Sequence, residues 1–446
     1  MNVTSPRRSD SALRVSLDRT AERELRGEIR REVSRLLGER QLLVPGPEDE
    51  ARIRALIREH VAAHQRRAAT TNGTLLQDPE GVEQRIFDGI LRLGILQPLM
   101  DDPAVEEVIA NGPSRVFSIR EGRKRLAPDL YFDDDEELRL LVKRLIGPLG
   151  RRLDESSPMV DARLPDGSRI NAVIPPAATR WCCVTIRKFL LRAHALDELV
   201  RLGTLPEPAA RFLDAAVQAG VNILVSGPTG AGKTTFLNAL GASIASLDER
   251  VVTIEEVPEL QLDRQLPDCV ALQARTSNVE GVGEIRIRDL VRNALRMRPS
   301  RIIVGEVRGA EALDMLLAMN TGHEGSLTTI HGNAPRDALD RLATLAMMAE
   351  ERLSGEALVK MVARTVELVV QLRFEAKTGR RRVASIFEVT GLETTGSGYP
   401  IITGQDLWTL DVERGRLVWS GIQPRCLAKL AARGVPYALP TGRHVG

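Results

Sequence analysis

The sequence predicts an α/β protein: a mostly parallel sheet with helices on both faces, preceded by a smaller α+β domain and a helical arm. Three observations carry that expectation. From Leu196 to about Glu388, short apolar strand-like runs alternate with helical stretches of crossover length, the rhythm of a parallel sheet. One of those runs, Val221-Asn222-Ile223-Leu224-Val225-Ser226, leads into a glycine-rich loop and then a helical stretch from Thr235 to Leu247. Near the start, two amphipathic helical patterns stand in a charged surround.

Residues 1–18 are polar and read as a flexible start. From Thr20 to Leu37 the positions Leu25, Ile29, Val33 and Leu36 keep helical spacing, and Ile53, Leu56, Ile57 and Val61 repeat it within Glu48 to His64. These two helices make the arm, and Ala68 to Asp78 reads as a linker, so residues 1–78 form the first segment. An α+β domain is expected over residues 79–190. Its helix stripe is Val82, Ile86, Ile90 and Leu93, and Glu136 to Leu149 gives a second helix. Strands are expected at Val116–Ile119 and Leu130–Phe132, in a hairpin from Asp161 to Ile174 around Pro165-Asp166-Gly167, and at Val184–Arg187. Residues 191–200 form a linker, with Ala193 to Val200 the candidate hinge. The main α/β domain spans 201–390, with strands at 221–226, 251–255, 301–305 and 326–330. Two further strands near Val366–Phe374 and Arg382–Glu388 extend the sheet. Residues 391–446 are a C-terminal extension with hairpin-like pieces and one short helix, Gln423 to Arg433.

Composition narrows the function classes. A chain of 446 residues with 43% apolar content supports two to four cored domains. Charged residues make up 27% yet the net charge is only +2, so nothing global demands nucleic acid. Aromatics are 3% of the chain, too few for a base-stacking channel. Cys182, Cys183, Cys269 and Cys426 show no metal-like spacing beyond one adjacent couple, which points to reduced thiols in the cytoplasm. The start is polar and no apolar run reaches ~18 residues, so neither export nor a transmembrane segment is expected; peripheral attachment stays open.

Four clusters carry chemistry. In Gly227-Pro228-Thr229-Gly230-Ala231-Gly232-Lys233-Thr234-Thr235, four residues separate Gly227 from Gly232, and Lys and Thr follow. This is the phosphate-loop pattern. Glycines let successive backbone N–H groups turn inward onto a polyphosphate, Lys233 can reach its β- and γ-phosphates, and the Thr234 hydroxyl can ligate Mg²⁺. The helix that follows aims its dipole at the same place. The second cluster, Ile254-Glu255-Glu256-Val257-Pro258-Glu259-Leu260, runs a buried strand into three carboxylates, one of which could orient an attacking water. The third, Ile302-Ile303-Val304-Gly305-Glu306-Val307-Arg308-Gly309, ends an apolar strand in a single carboxylate, placed to meet Mg²⁺ through water. The fourth, Gly322-His323-Glu324-Gly325-Ser326-Leu327-Thr328-Thr329-Ile330-His331, flanks a Thr-rich strand with two of the chain's six histidines, a candidate γ-phosphate sensor or interface relay. Zinc lacks a third ligand at suitable spacing.

Taken together, these clusters resemble, in kind and order, the secretion ATPase superfamily of type II and type IV secretion and type IV pili. The segments Arg288-Asp289-Leu290-Val291-Arg292-Asn293-Ala294-Leu295-Arg296-Met297-Arg298-Pro299, Val105-Glu106-Glu107-Val108-Ile109-Ala110-Asn111-Gly112-Pro113 and Phe387-Glu388-Val389-Thr390-Gly391 look like its tight-adherence (Flp-type) pilus assembly branch and that branch's conjugative relatives. The resemblance covers about residues 80–395. It implies a RecA-like motor domain, ATP with Mg²⁺, a homo-hexameric ring, a cytoplasmic position at the inner face of the membrane, and an inner-membrane platform protein as partner. It also implies residue roles: Glu259 for water activation, Glu306 as the Walker B carboxylate, Lys233 on the phosphates, and His323 and His331 as the histidine box. Arg169 and Arg187, with Arg163 a weaker third, would be the N-terminal-domain arginines on phosphate. Glu256 stands where that family usually has Asp. The expected activity is ATP hydrolysis driving pilus assembly or protein secretion. The rivals are a conjugative ATPase moving protein or DNA, and a helicase or packaging motor, for which the Arg-rich stretch 286–298 is the one favourable feature.

Overall fold

The computed structural model describes residues 10–37, 46–71, 75–188, 193–244, 246–275, 277, 282–351, 353–394, 396 and 398–440. The chain divides into two compact units, Met1–Leu190 and Leu191–Gly446. Of the loose start expected over 1–18, residues 1–9 lie outside the described residues, as do the first two linker residues and the last six, whereas 10–18 are helical.

In the first unit, helices Asp10–Leu36, Pro47–Thr71 and Pro79–Leu91 share one core, in which Leu25, Ile29, Val33, Ile53, Ile57, Val61, Val82, Ile86 and Phe87 are buried together. The periodic stripes read from the sequence are the buried faces except at Leu36, which is exposed while its neighbour Leu37 is buried. The first helix begins at Asp10, ten residues earlier than the stripe alone suggests. Between Asp10 and Arg19 the chain holds no Gly or Pro, so helix propensity carries the element past the apolar pattern. The second helix likewise continues through Thr71, into the segment read as linker. Helix Pro79–Leu91, read from sequence with the next domain, places its stripe in the arm's core.

A six-stranded antiparallel sheet follows, in the order β3-β2-β1-β6-β5-β4. Its strands are β1 (Val105–Asn111), β2 (Val116–Arg120), β3 (Arg123–Leu126), β4 (Met159–Arg163), β5 (Arg169–Val173) and β6 (Cys183–Arg187). The run Leu130 to Phe132 is not a strand; β2 instead pairs with the charged, exposed segment Arg123–Leu126. An edge strand can be polar because it is held by backbone hydrogen bonds, while Phe132 is buried against the sheet core. Helix Asp135–Ile146 covers the sheet and carries Arg144 to the end of helix Pro79–Leu91. There its guanidinium donates to the carbonyls of Gly89, Ile90 (2.6 Å) and Arg92, satisfying the acceptors a helix terminus leaves open. Burial, with Arg30 and Arg26 nearby, pulls that guanidinium down to about 10.

The second unit is built on a nine-stranded sheet in the order β15-β14-β13-β12-β7-β11-β10-β8-β9. Its central strands, β7 (Ile223–Ser226), β8 (Val251–Glu255), β9 (Cys269–Gln273), β10 (Arg301–Val304), β11 (Leu327–Ile330) and β12 (Leu368–Glu375), are parallel. β13 (Arg380–Thr394), β14 (Pro400–Asp411) and β15 (Arg416–Trp419) add an antiparallel wing. Alternation along the buried strands sends Ile223, Val225, Ile303 and Leu327 to one core and Leu224, Ile302, Val304 and Ile330 to the other. Helices Glu207–Gln218 and Lys233–Gly241 fill the first core. Helices Ile287–Ala294, Glu311–Asn320, Pro335–Ala346 and Gly355–Thr365 fill the second. Helix Leu196–Arg201 occupies the second half of the expected linker, and Leu427–Ala432 is the short C-terminal helix. The sequence missed β9, which lacks a long apolar run, and understated the length of β13 and β14.

Candidate functional site

In a parallel sheet the carboxyl ends of all strands open on one edge, and ligands bind there. Strand order decides which residues meet. β11 lies between β7 and β10, so the residue that follows β11 stands between the phosphate loop after β7 and the carboxylate after β10. That residue is His331. Its Nδ1 is 3.4 Å from Lys233 Nζ, and its Nε2 is 2.8 Å from Glu306 Oε1. Lys233 Nζ is itself 3.9 Å from Glu306 Oε1. Burial first, and the Lys233 charge second, push the His331 imidazole below its ordinary value, so it is neutral at pH 7.

The loop is shaped by its glycines. Gly230 and Gly232 have φ of +77° and +87°, a region that side chains with a Cβ avoid. A Cβ on Gly227 would come within 3.1 Å of both Leu372 Cβ and Leu372 O on β12. Gly232 caps helix Lys233–Gly241, whose first-turn N–H groups have no intrahelical partner. Pro228, Thr229 and Ala231 complete the turn; Thr234 and Thr235 are half-buried in the first helical turn. Lys233 is buried and its Nζ donates to the Pro228 carbonyl at 3.3 Å.

The acidic segment after β8 is folded back on itself. Buried Glu255 accepts hydrogen bonds from the backbone N–H of Glu259 (2.8 Å) and Leu260 (3.1 Å). Its side chain fills the space beside Gly305, where a Cβ would sit 2.8 Å from Glu255 Cγ. Gly305 is thus required by its carboxylate neighbour, and Glu255 builds the turn that presents Glu259. Glu306 keeps its other oxygen, Oε2, on the Arg308 guanidinium, 2.7 Å from Nε. Despite the His331 approach, Glu306 Oε1 is buried and lacks a well-aligned hydrogen-bond partner. That orphaned carboxylate oxygen and the Thr234 hydroxyl are hard oxygen donors, suited to Mg²⁺ with its water shell. Among the described residues, no group of three or more His, Cys, Asp and Glu could hold a metal without such help.

His323 is not brought to this edge. It precedes β11 rather than following it, with Nδ1 3.2 Å from the Ala318 carbonyl at the end of helix Glu311–Asn320. The four residues of β11 put about 13 Å of strand between the two histidines.

In the first unit, Arg163, Arg169 and Arg187 fall in one cross-strand row. Arg163 pairs with Arg169 between β4 and β5, and Arg169 with Arg187 between β5 and β6. Directly paired residues share a face, where like charges repel. The row ends on β1, where Glu107 pairs with Arg187; their charged atoms are 3.9 Å apart. Arg163 Nε is buried without a hydrogen-bond partner.

Two arginines at the site escaped the sequence reading. Arg308 joins Glu306 to Glu256, whose Oε2 accepts from Nη1 at 2.9 Å. A base two residues beyond a strand-end carboxylate was the available signal. Arg381, at the start of β13, donates from Nε to the Gly230 carbonyl at 2.8 Å, and its Cδ lies 3.3 Å from where a Cβ on Gly232 would be. Only the β12–β13 pairing makes it a neighbour of the loop, so no local pattern announces it. The Arg-rich helix Ile287–Ala294 has its charges engaged: Arg288 and Arg292 hold buried Asp314 at 2.7 and 2.8 Å, and both bond Glu351.

The chain is similar to known proteins over about two thirds of its length. The chain is 39% identical to the putative conjugal transfer protein Rv3659c of Mycobacterium tuberculosis over 299 residues, covering 66% of this chain and 83% of the relative. It is 34% identical to the type IV secretion system protein PtlH of Bordetella pertussis over 325 residues, covering 67% of this chain and 95% of that protein. The crystal structure of the VirB11 ATPase from the Brucella suis type IV secretion system is similar at 30% identity, covering 66% of this chain and 96% of that one, with a TM-score of 0.36. A family model described as type II/IV secretion system protein matches residues 91–392, more than half of the sequence, and the chain belongs to that family.

Proposed function

We propose that this chain hydrolyses ATP and uses the energy to power pilus assembly or protein secretion across the bacterial envelope, as a member of the tight-adherence branch. One observation carries the reading: Lys233, His331 and Glu306 converge beside the glycine loop, at 3.4 Å and 2.8 Å across the histidine. In this reading the loop N–H groups and Lys233 bind the phosphates, and Glu259 orients the attacking water. Mg²⁺, on Thr234 and, through water, Glu306, would neutralise phosphate charge. Neutral His331 can accept or donate one hydrogen bond beside the γ-phosphate. Arg169 and Arg187 serve the phosphates as charge develops, and His323 acts away from the loop, as a relay toward a neighbouring subunit.

The working form is a homo-hexamer, cytoplasmic and peripheral to the inner membrane, docked on a platform protein. Among the described residues no helix is long and apolar enough to cross a membrane. A conjugative role moving protein or DNA is the second reading, favoured by relatives such as the putative conjugal transfer protein Rv3659c. A helicase role is weakened, because Arg288 and Arg292 of the Arg-rich stretch are occupied by Asp314 and Glu351.

Steady-state hydrolysis alongside nucleotide binding tests the reading. Lys233→Ala is expected to lose both turnover and affinity. Glu259→Gln is expected to bind ATP normally while turnover falls on the order of a hundredfold or more; parental turnover in that variant would remove Glu259 from the mechanism. Light scattering with an ATP analogue and Mg²⁺ is expected to show hexamers, and a fully active monomer would sink the ring.

A further inference from the structure

Arg308 is held more firmly than a surface arginine needs to be. Its own N–H and that of Gly309 both donate to Glu311 Oε1, at 2.6 and 2.8 Å. The preceding residue, buried Val307, donates to the Thr329 carbonyl on β11 at 2.9 Å. The backbone is therefore fixed, and the guanidinium reaches back over the site. It takes Glu306 Oε2 with Nε and Glu256 Oε2 with Nη1, and the charge of Glu259 also bears on it. One side chain thus ties the segment after β8 to the segment after β10.

Without that tie Glu306 has a competing destination. Its Oε1 already forms a long ion pair with Lys233 Nζ, at 3.9 Å, and a short swing would tighten it to direct contact. Lys233 would then be neutralised by a carboxylate instead of meeting phosphate. Glu256 matters for the same reason. An Asp there would be shorter by about 1.5 Å of chain, and its carboxylate would fall out of reach of a guanidinium now 2.9 Å away.

We propose that Arg308 is a positioning residue which, anchored on Glu256, holds the Glu306 carboxylate back from Lys233 and so keeps the lysine available to a nucleotide phosphate. The role presupposes that the loop binds ATP, as proposed above. It makes Glu256 and Arg308 a matched pair: the longer acid serves the clamp.

The test is equilibrium binding of a fluorescent ATP analogue to the full chain with Mg²⁺. Arg308→Ala is expected to bind on the order of tenfold more weakly than the parent, the scale of one charge-assisted hydrogen bond. Arg308→Lys, which keeps the charge but cannot fork onto two carboxylates, is expected to fall between them. Glu256→Asp is expected to weaken binding by about two- to fivefold, the range of an exposed ion pair. The decisive variant is Arg308→Ala combined with Glu306→Gln. Removing the charge that would capture Lys233 is expected to restore affinity to that of Glu306→Gln alone, although turnover stays lost. A merely structural Arg308 would give no such rescue, and a thermal melt of each variant reports whether it is folded. Parental affinity in Arg308→Ala, or a double variant as weak as Arg308→Ala, overturns the clamp. Absence of binding in the parent overturns the nucleotide reading and the clamp with it.

Discussion

The arginines around the second unit's sheet and the cross-strand arginine row of the first unit are spent in opposite ways. In the second unit the arginines nearest the sheet are matched to carboxylates: Arg301 to Glu249, Arg288 and Arg292 to Asp314 and Glu351, Arg308 to Glu306 and Glu256. In the first unit Arg163, Arg169 and Arg187 lie side by side on neighbouring strands. Among the described residues Arg163 and Arg169 have no carboxylate partner, and Arg187 reaches Glu107 only at 3.9 Å. An ion-paired arginine whose removal orphans a buried acid is architecture. A row of like charges on one face costs stability, so it makes physical sense where an anion completes it. The difference separates arginines that hold the fold from arginines that we propose are kept for phosphate, and it can be broken experimentally.

Arg301 should show the largest stability effect. It is buried, its Nη2 bonds Glu249 at 2.6 Å, and it also bonds the Val217 carbonyl. Arg301→Met leaves Glu249 without its partner and is expected to cost about 3–5 kcal/mol in denaturant unfolding. A loss under about 1 kcal/mol would show that the pair is not structural. Arg292 is next. Its side chain is 46% exposed and it shares Asp314 with Arg288, so Arg292→Ala is expected to cost only about 1 kcal/mol. A larger loss than for Arg301→Met would reverse the ranking that burial sets.

Legibility followed the range of the interactions. Most of the central parallel strands were readable because they are short, largely apolar runs, as strands buried on both faces tend to be. The phosphate loop was readable because its glycines and lysine are contiguous. Strand order was not, and it decides the site: it seats His331 between Lys233 and Glu306 while leaving His323 at the other end of β11. Both histidines looked equivalent in a run of ten residues. β3 and β9 were hidden because edge strands need no apolar alternation. Arg381 was invisible because its neighbour Gly230 lies 151 positions away in the chain. The cross-strand row of Arg163, Arg169 and Arg187 was half legible: the residues stood out by resemblance, but their alignment needs the register of three strands.

The row gives the most direct measurement. Arg169→Ala with Arg187→Ala, in the full chain, removes two like charges and no buried ion pair, so the melting temperature is expected to stay within about 2 °C of the parent or rise slightly. ATP turnover is expected to fall by on the order of tenfold or more, since each contact to a developing phosphate charge is worth more than a neutral hydrogen bond. Turnover lost at unchanged stability is the result predicted for arginines kept for phosphate. Unchanged turnover, or a loss that tracks a fallen melting temperature, would contradict that assignment and place the row with the structural arginines.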